Sequence, residues 1–387
     1  VNYEKILISI DEILMRELNC DEWAKKNIGI GSGVSGVLLY LANRFEGNFD
    51  CFIKNKVQDG INNVIDRCNI LSNQPSLLNG ISGVAWLIEY LTEKFDQYDY
   101  GFNVNTDDHL TKFIEQKELD YEYINGLVGI SVYGARRARK DKSNYLYNKI
   151  HEKLVEKSIR HSDGYCYWET ELTSYLRKSN NLTTDIDLGL AHGNVGAFVS
   201  LLNYCSIEEY EEKSKKLIKE SYSFYEKIKV EGKYYDYPSS LDDQGVNRLA
   251  WCYGDLSLSY NFLRAGFILN DEYIKSEALK TAHKTTVRTL NTSFVVDAPL
   301  CHGSVGVALI YNLINEISPS VICQQAEDRW FGELSRAYEE RGIDALKFHS
   351  NDNVMRLGLL EGLAGIGLAI LALKESKKDW LDLILLK

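Results

Sequence analysis

Apolar and polar positions along the chain fall into two alternating kinds of segment. In residues 11–27 (DEILMRELNCDEWAKKN) and 207–229 (IEEYEEKSKKLIKESYSFYEKIK), apolar residues recur three and four apart among charged ones, which predicts helices with one buried face. In residues 37–45 (VLLYLANRF) and 84–95 (VAWLIEYLTEKF) almost every position is apolar, which predicts helices buried all round. A Gly-x-x-Gly stands where each apolar helix starts. It reads GVSG at Gly33, GISG at Gly80, GLVG at Gly126, GNVG at Gly193, GSVG at Gly303 and GLAG at Gly362. A seventh copy, GDLS at Gly254, has Ser257 in place of the second glycine. The copies lie about 50 residues apart, the spacing of helical arrays.

The pattern predicts an all-α fold in which outer amphipathic helices wrap inner, fully buried ones. Seven pairs can close into a toroid, a double-layered α/α barrel that buries the faces open ends expose, although the period alone equally fits an open superhelix. We read residues 1–387 as a single domain on this plan, with longer insertions at about 140–185 and 228–247 that lie as loops near the rim. Only four prolines interrupt the chain, so long helices run freely between them. The most apolar run, Leu357 to Leu373, contains Glu361 and is too short to span a bilayer, so it reads as a buried helix. No secretory signal is visible.

A formal charge of −11 argues against a nucleic-acid partner. The eight cysteines show no CxxC pair and suit reduced thiols or metal ligands better than a disulfide framework. Residues 31–36 (GSGVSG) match the dinucleotide fingerprint GxGxxG, but the preceding CDEWAKKNI is no β-strand and the last four residues are the first copy of the repeat.

Aligning the seven units on their first glycine exposes the chemistry. The two preceding positions hold Gly31-Ser32, Leu78-Asn79, Ile124-Asn125, Ala191-His192, Cys252-Tyr253, Cys301-His302 and Leu360-Glu361. If the inner helices begin around one end of a central cavity, these positions are neighbours. Cys252 and Cys301 then converge with His302, a donor set that suits one zinc ion and leaves a fourth position open, as at catalytic sites. Taken singly, each cysteine would instead read as a small buried hydrophobe. A substrate thiol can take the open position and stay nucleophilic near neutral pH. His192 is free for proton transfer. Arg248, one turn before Cys252 if that segment is helical, can stabilise an enolate oxygen or hold an acidic partner. Glu122 and Asp120 precede the third glycine turn within reach of the cavity, where capping a helix is the ordinary alternative. His109, His151, His161, His283 and His349 have no such register and are expected at the surface.

LAHGNVG (190–196), RLAWCYGD (248–255) and CHGSVG (301–306) strongly resemble the lanthionine synthetase C-like family, the lantibiotic cyclases, and the seven glycine units extend the resemblance across nearly the whole chain. The resemblance implies a seven-fold α/α barrel that closes thioether rings by adding precursor-peptide cysteines to dehydroalanine and dehydrobutyrine. It marks Cys252, Cys301 and His302 as ligands of a single zinc, His192 as catalytic acid/base and Arg248 as the family arginine. It further implies a dehydratase and a membrane exporter as partners, and work in the bacterial cytoplasm beside that membrane complex. Two departures stand out. Glu122 replaces an aspartate usual in the family, with Asp120 two residues further back, and Ser257 replaces a glycine. Two other readings follow from the same residues: a related zinc protein that binds glutathione or another thiol without cyclising peptides, and a non-catalytic helical scaffold that binds peptides.

Overall fold

In a computed structural model, residues 3–19, 26–47, 51–95, 101–140, 144–170, 186–230, 232–241, 247–349 and 354–387 are described. Fourteen long helices alternate between two layers. The outer ones are α1 (Tyr3–Leu18), α3 (Cys51–Arg67), α5 (Gly101–Gln116), α7 (Tyr145–Glu156), α9 (Glu208–Ile228), α11 (Glu272–Thr285) and α13 (Val321–Arg341). The inner ones are α2 (Val34–Arg44), α4 (Ile81–Phe95), α6 (Leu127–Ala138), α8 (Asn194–Tyr204), α10 (Asp255–Leu269), α12 (Ser304–Ile317) and α14 (Leu363–Glu375). Burial separates the layers as the pattern requires. α9 buries one stripe (Tyr210, Ser214, Leu217, Ile218, Ser221, Tyr222, Tyr225), whereas α14 is buried at every residue from Leu363 to Ala372.

The ring is closed. Each inner helix packs against the next, α2 on α4 and so on to α12 on α14, and α14 returns to pack on α2. The principal outer partner of an inner helix is the one that follows it in sequence, and α1 covers α14, so the two ends of the chain interlock. An open superhelix would leave the apolar faces of α2 and α14 in water, and closure removes that cost.

Every inner helix starts directly after its first glycine. Six second glycines (Gly36, Gly83, Gly129, Gly196, Gly306 and Gly365) lie so close to a carbonyl oxygen of the preceding turn that an added Cβ would sit 1.6–2.7 Å from it. The fifth turn differs twice. Gly254 has φ +99°, against −96° to −126° for Gly33, Gly126, Gly193, Gly303 and Gly362. The same turn carries Ser257, fully buried, its hydroxyl without a protein partner. A rerouted backbone thus accommodates a side chain that the other six turns exclude, and Gly254 supplies the conformation.

Residues 376–387 plug the barrel from the end opposite the glycine turns, a feature the sequence reading did not include. Leu381 and Leu383–Leu386 are buried. The plug's carbonyls accept hydrogen bonds from inner-layer side chains: Tyr123 Oη to Leu383 O (2.7 Å), Trp251 Nε1 to Ile384 O (2.9 Å) and Tyr260 Oη to Leu386 O (2.8 Å). Buried Arg136 grips the Asp382 carboxylate and stacks over Trp86, 4.6 Å from guanidinium carbon to ring centre.

Some expectations need correction. The first insertion, expected from about 140, contains α7, which packs as a regular outer helix; the additional material after it includes a hairpin pairing Ile159–Arg160 with Cys166–Tyr167. Residues 171–185 of that insertion, and 242–246 of the second, lie outside the described residues. His151 is not at the surface. It is fully buried against Tyr204 and Tyr210 with Nε2 3.0 Å from Ser214 Oγ, and burial lowers its pKa to about 4. Its aromatic setting makes it a packing residue of the outer layer. Among the described residues no helix is long and apolar enough to cross a membrane.

Candidate metal centre

The positions two before each first glycine meet at one end of the barrel and are stitched together by the backbone. Gly31 N–H donates to Leu78 O (2.7 Å), Tyr123 N–H to Ala191 O (3.3 Å), Leu190 N–H to Cys252 O (2.9 Å) and Trp251 N–H to Cys301 O (3.0 Å). Cys301 N–H donates to Leu360 O (2.9 Å) and Leu359 N–H to Gly31 O (2.8 Å). Among the described residues, these bonds bridge six of the seven junctions. The glycine that follows lets each strand of turn lie flat against its neighbour, so a register read along the chain becomes a ring in space.

On that ring the donor atoms of Cys252, Cys301 and His302 all lie within 4.8 Å of one another. Both cysteines are buried, and among the described residues no fourth Cys, His, Asp or Glu completes the group. Cys301 beside Cys252 pulls the Cys252 pKa well down against burial, with His302 and then Arg248 adding to the effect. Two buried sulfurs this close to an imidazole suit a thiophilic cation, whose binding requires both sulfurs to ionise. Two soft sulfurs and an imidazole match zinc. Asp297, with a side chain almost wholly buried, places Oδ2 3.8 Å from His302 Nε2.

His192 lies beside this group. Its Nδ1 is 2.8 Å from Glu122 Oε2. Glu122 is completely buried and is itself fixed by the backbone N–H groups of Ile124 (2.9 Å) and Asn125. Burial opposes charging of the imidazole, but the hydrogen bond and charge of Glu122 outweigh it, helped by Asp187 and Cys252, so the His192 pKa is raised. Asp120 points elsewhere. Its carboxylate accepts from Tyr121 N–H (2.6 Å) and from the Thr170 hydroxyl. It occupies the register six residues before the glycine, where Asn27 and Asp187 likewise cap the turn by accepting from Gly29 and Gly189 N–H. The structure therefore brings Glu122, and not Asp120, to His192. Arg248 is exposed, and residues 247–254 are irregular, so it is not one helical turn from Cys252; its charge still favours the ionised form of both thiols.

These groups open into a cavity of about 590 Å³. One side is lined by His192, Trp251, Cys252, Tyr253, Cys301 and His302, and Ser32, Asn79, Arg356 and Glu361 also contribute. Tyr253 and Asp187 were missed by sequence reasoning. Tyr253 Oη donates to Asp187 Oδ2 (2.6 Å), and burial raises the Asp187 pKa to about 6 against that bond and the Gly189 N–H. Both were legible in register: Tyr253 shares the position of His192 and His302, and Asp187 that of Asp120. Cys68, Cys166, Cys205, Cys252, Cys301 and Cys323 form no disulfide; Cys166 is buried with its pKa raised to about 12 by burial, and Cys68, Cys205 and Cys323 lie away from the cavity.

Comparison with known proteins agrees with this geometry. Nisin biosynthesis protein NisC of Lactococcus lactis subsp. lactis is 22% identical over 396 residues, covering 94% of this chain and 89% of that protein. The solved structure of nisin cyclase superposes with a TM-score of 0.78 at 21% identity, covering 98% of this chain and 96% of that one. The model of the family described as lanthionine synthetase C-like protein matches residues 31–386. With its toroid, its glycine register and that match over most of its length, the chain belongs to the lanthionine synthetase C-like protein family.

Proposed function

We propose that this protein is a zinc-dependent cyclase that forms lanthionine and methyllanthionine rings in a precursor peptide by adding cysteine thiols to dehydroalanine and dehydrobutyrine. The observation that carries the reading is the convergence of Cys252, Cys301 and His302 with the His192–Glu122 pair in one cavity of a family member. Cys252, Cys301 and His302 would hold the ion, which when bound would lower the pKa of an incoming thiol and keep its thiolate nucleophilic. The reaction forms a bond from sulfur to the β-carbon and removes the carbon–carbon double bond. The proton lost by the thiol is balanced by one gained at the α-carbon. His192, with Nδ1 anchored on Glu122, presents Nε2 for that transfer, and its raised pKa favours the acid form that delivers the proton. Arg248 contributes positive charge beside the thiolates.

NisC carries a role in nisin biosynthesis in its name, and a related role here places the enzyme after a dehydratase, which must first make the alkene, and before a membrane exporter. A cytoplasmic location at that complex follows from the order of steps.

The reading is tested by incubating the zinc-loaded protein with a dehydrated, cysteine-containing peptide, alkylating free thiols and measuring mass. Ring closure leaves the peptide mass unchanged and blocks alkylation at each closed cysteine. Alkylation of every thiol at the rate seen without enzyme rejects cyclase activity.

A further inference from the structure

Six of the seven positions immediately before the first glycines line the cavity, and they divide by chemistry. On one side stand His192, Tyr253 and His302. On the other, Ser32 and Asn79 are exposed, uncharged and line the same cavity. A short hydrogen-bond chain fixes their polarity. Gly29 N–H donates to Asn27 Oδ1 (2.7 Å), Asn27 Nδ2 donates to Ser32 Oγ (3.3 Å), and the Ser32 hydroxyl donates to Asn79 Oδ1 (3.1 Å). The backbone donor at its start sets the orientation of each amide in turn. The chain ends on Asn79 Nδ2, which meets no protein acceptor among the described residues and is left as a donor at the cavity mouth.

We propose that Ser32 and Asn79 form a peptide-backbone subsite, in which Asn79 Nδ2 donates to a main-chain carbonyl of the bound substrate while the reacting residues lie across the cavity at His192 and the two cysteines. The proposal rests on the cyclase reading for the identity of the ligand as a peptide. Its physical content is separate. A neutral amide donor recognises a carbonyl whatever side chain follows it, so this wall holds the substrate without selecting its sequence. The cationic and anionic side chains of Arg356 and Glu361 are paired with each other nearby and do not compete for a neutral peptide group. Holding the backbone on the far wall also limits how the segment between cysteine and alkene can swing before the ring closes.

The test uses the full chain loaded with zinc and a fluorescein-labelled dehydrated peptide whose cysteines are replaced by serine, so that binding is read without turnover. Asn79→Leu, which keeps the branching at Cγ and removes the donor, raises the Kd about fivefold, the value of one neutral hydrogen bond. Asn79→Asp raises it more, because an acceptor then faces the carbonyl. Asn27→Ala, which frees the chain at its origin, raises it less. Zinc content and melting temperature stay at wild-type values in all three, and with a cysteine-containing peptide the variants change KM far more than kcat. Binding equal to wild type in both Asn79 variants, or no peptide binding by the wild type, overturns the subsite. Asn79-dependent binding without any thiol protection by the wild type keeps the subsite and rejects the cyclase reading instead.

Discussion

Replacing His192 by alanine leaves about one zinc per chain and slows thiol protection of a dehydrated peptide by roughly 10²–10⁴-fold, the usual worth of a positioned acid or base. The separation of metal content from rate is the informative part. His192 stands in the turn before the cysteine pair and outside the group of three donors, so its removal takes away the proposed proton carrier and no proposed ligand. Glu122→Gln acts through it. The carboxylate raises the His192 pKa by hydrogen bond and charge, so its loss lowers that pKa, and the limb of the pH–rate profile belonging to His192 moves to lower pH. A purely structural Glu122 would lower stability and leave the profile in place. Glu122→Asp shortens the arm and recovers part of the rate only if the turn lets the carboxylate advance. Alkylation kinetics across pH, alongside zinc analysis, check all three variants.

The second large effect is on the fold at the metal centre. Gly254→Ala places a Cβ 1.9 Å from the carbonyl oxygen of Arg248 at a backbone φ of +99°. At ψ 168° this is a region that essentially only glycine adopts; the conformation alone costs about 1–3 kcal/mol for an L-residue, and the overlap with backbone oxygen forces the turn to move. Cys252 lies two residues before this glycine, and its carbonyl accepts from Leu190 N–H on the neighbouring turn, so the shift is transmitted to a proposed ligand. We expect a melting temperature lower by several degrees and zinc well below one per chain, measured by thermal unfolding and metal analysis. Ala substitution at Gly332, inside α13, where an added Cβ meets nothing within 4 Å, is the control: it leaves zinc content unchanged and, because Ala is favoured over Gly in a helix by about 0.5–1 kcal/mol, does not lower the melting temperature.

Much of this arrangement was legible in the chain because a repeat converts sequence register into spatial register. Helix starts, two layers and the meeting of Cys252, Cys301 and His302 all follow from aligning seven glycines, since the glycines set a shared register and backbone hydrogen bonds join neighbouring turns at six of the seven junctions among the described residues. Closure was not legible in the period, which is the same in an open superhelix; the family resemblance implied it, and the packing of α14 on α2 and of α1 on α14 shows it. The choice between Glu122 and Asp120 was equally hidden. Two carboxylates two residues apart look alike along the chain, but the turn sends position 120 to its own backbone and to Thr170, and position 122 to His192. The irregular path of residues 247–254 defeated the helical placement of Arg248, because in every unit the segment leading into the first glycine is irregular and not helical. The C-terminal plug has no counterpart in the repeat, so no register announces it. Its carbonyls nonetheless hold Tyr123 and Trp251, the immediate neighbours of Glu122 and Cys252, and so support the floor of the site from below.

Metal analysis of the purified protein and of its Cys301→Ala variant tests the centre most directly. The arrangement of two sulfurs and one imidazole predicts about one zinc per folded chain in the wild type and close to none in the variant, with the helical circular-dichroism signal retained. Equal zinc in the two proteins, or a correctly folded wild type that takes up no zinc when it is supplied, would contradict it.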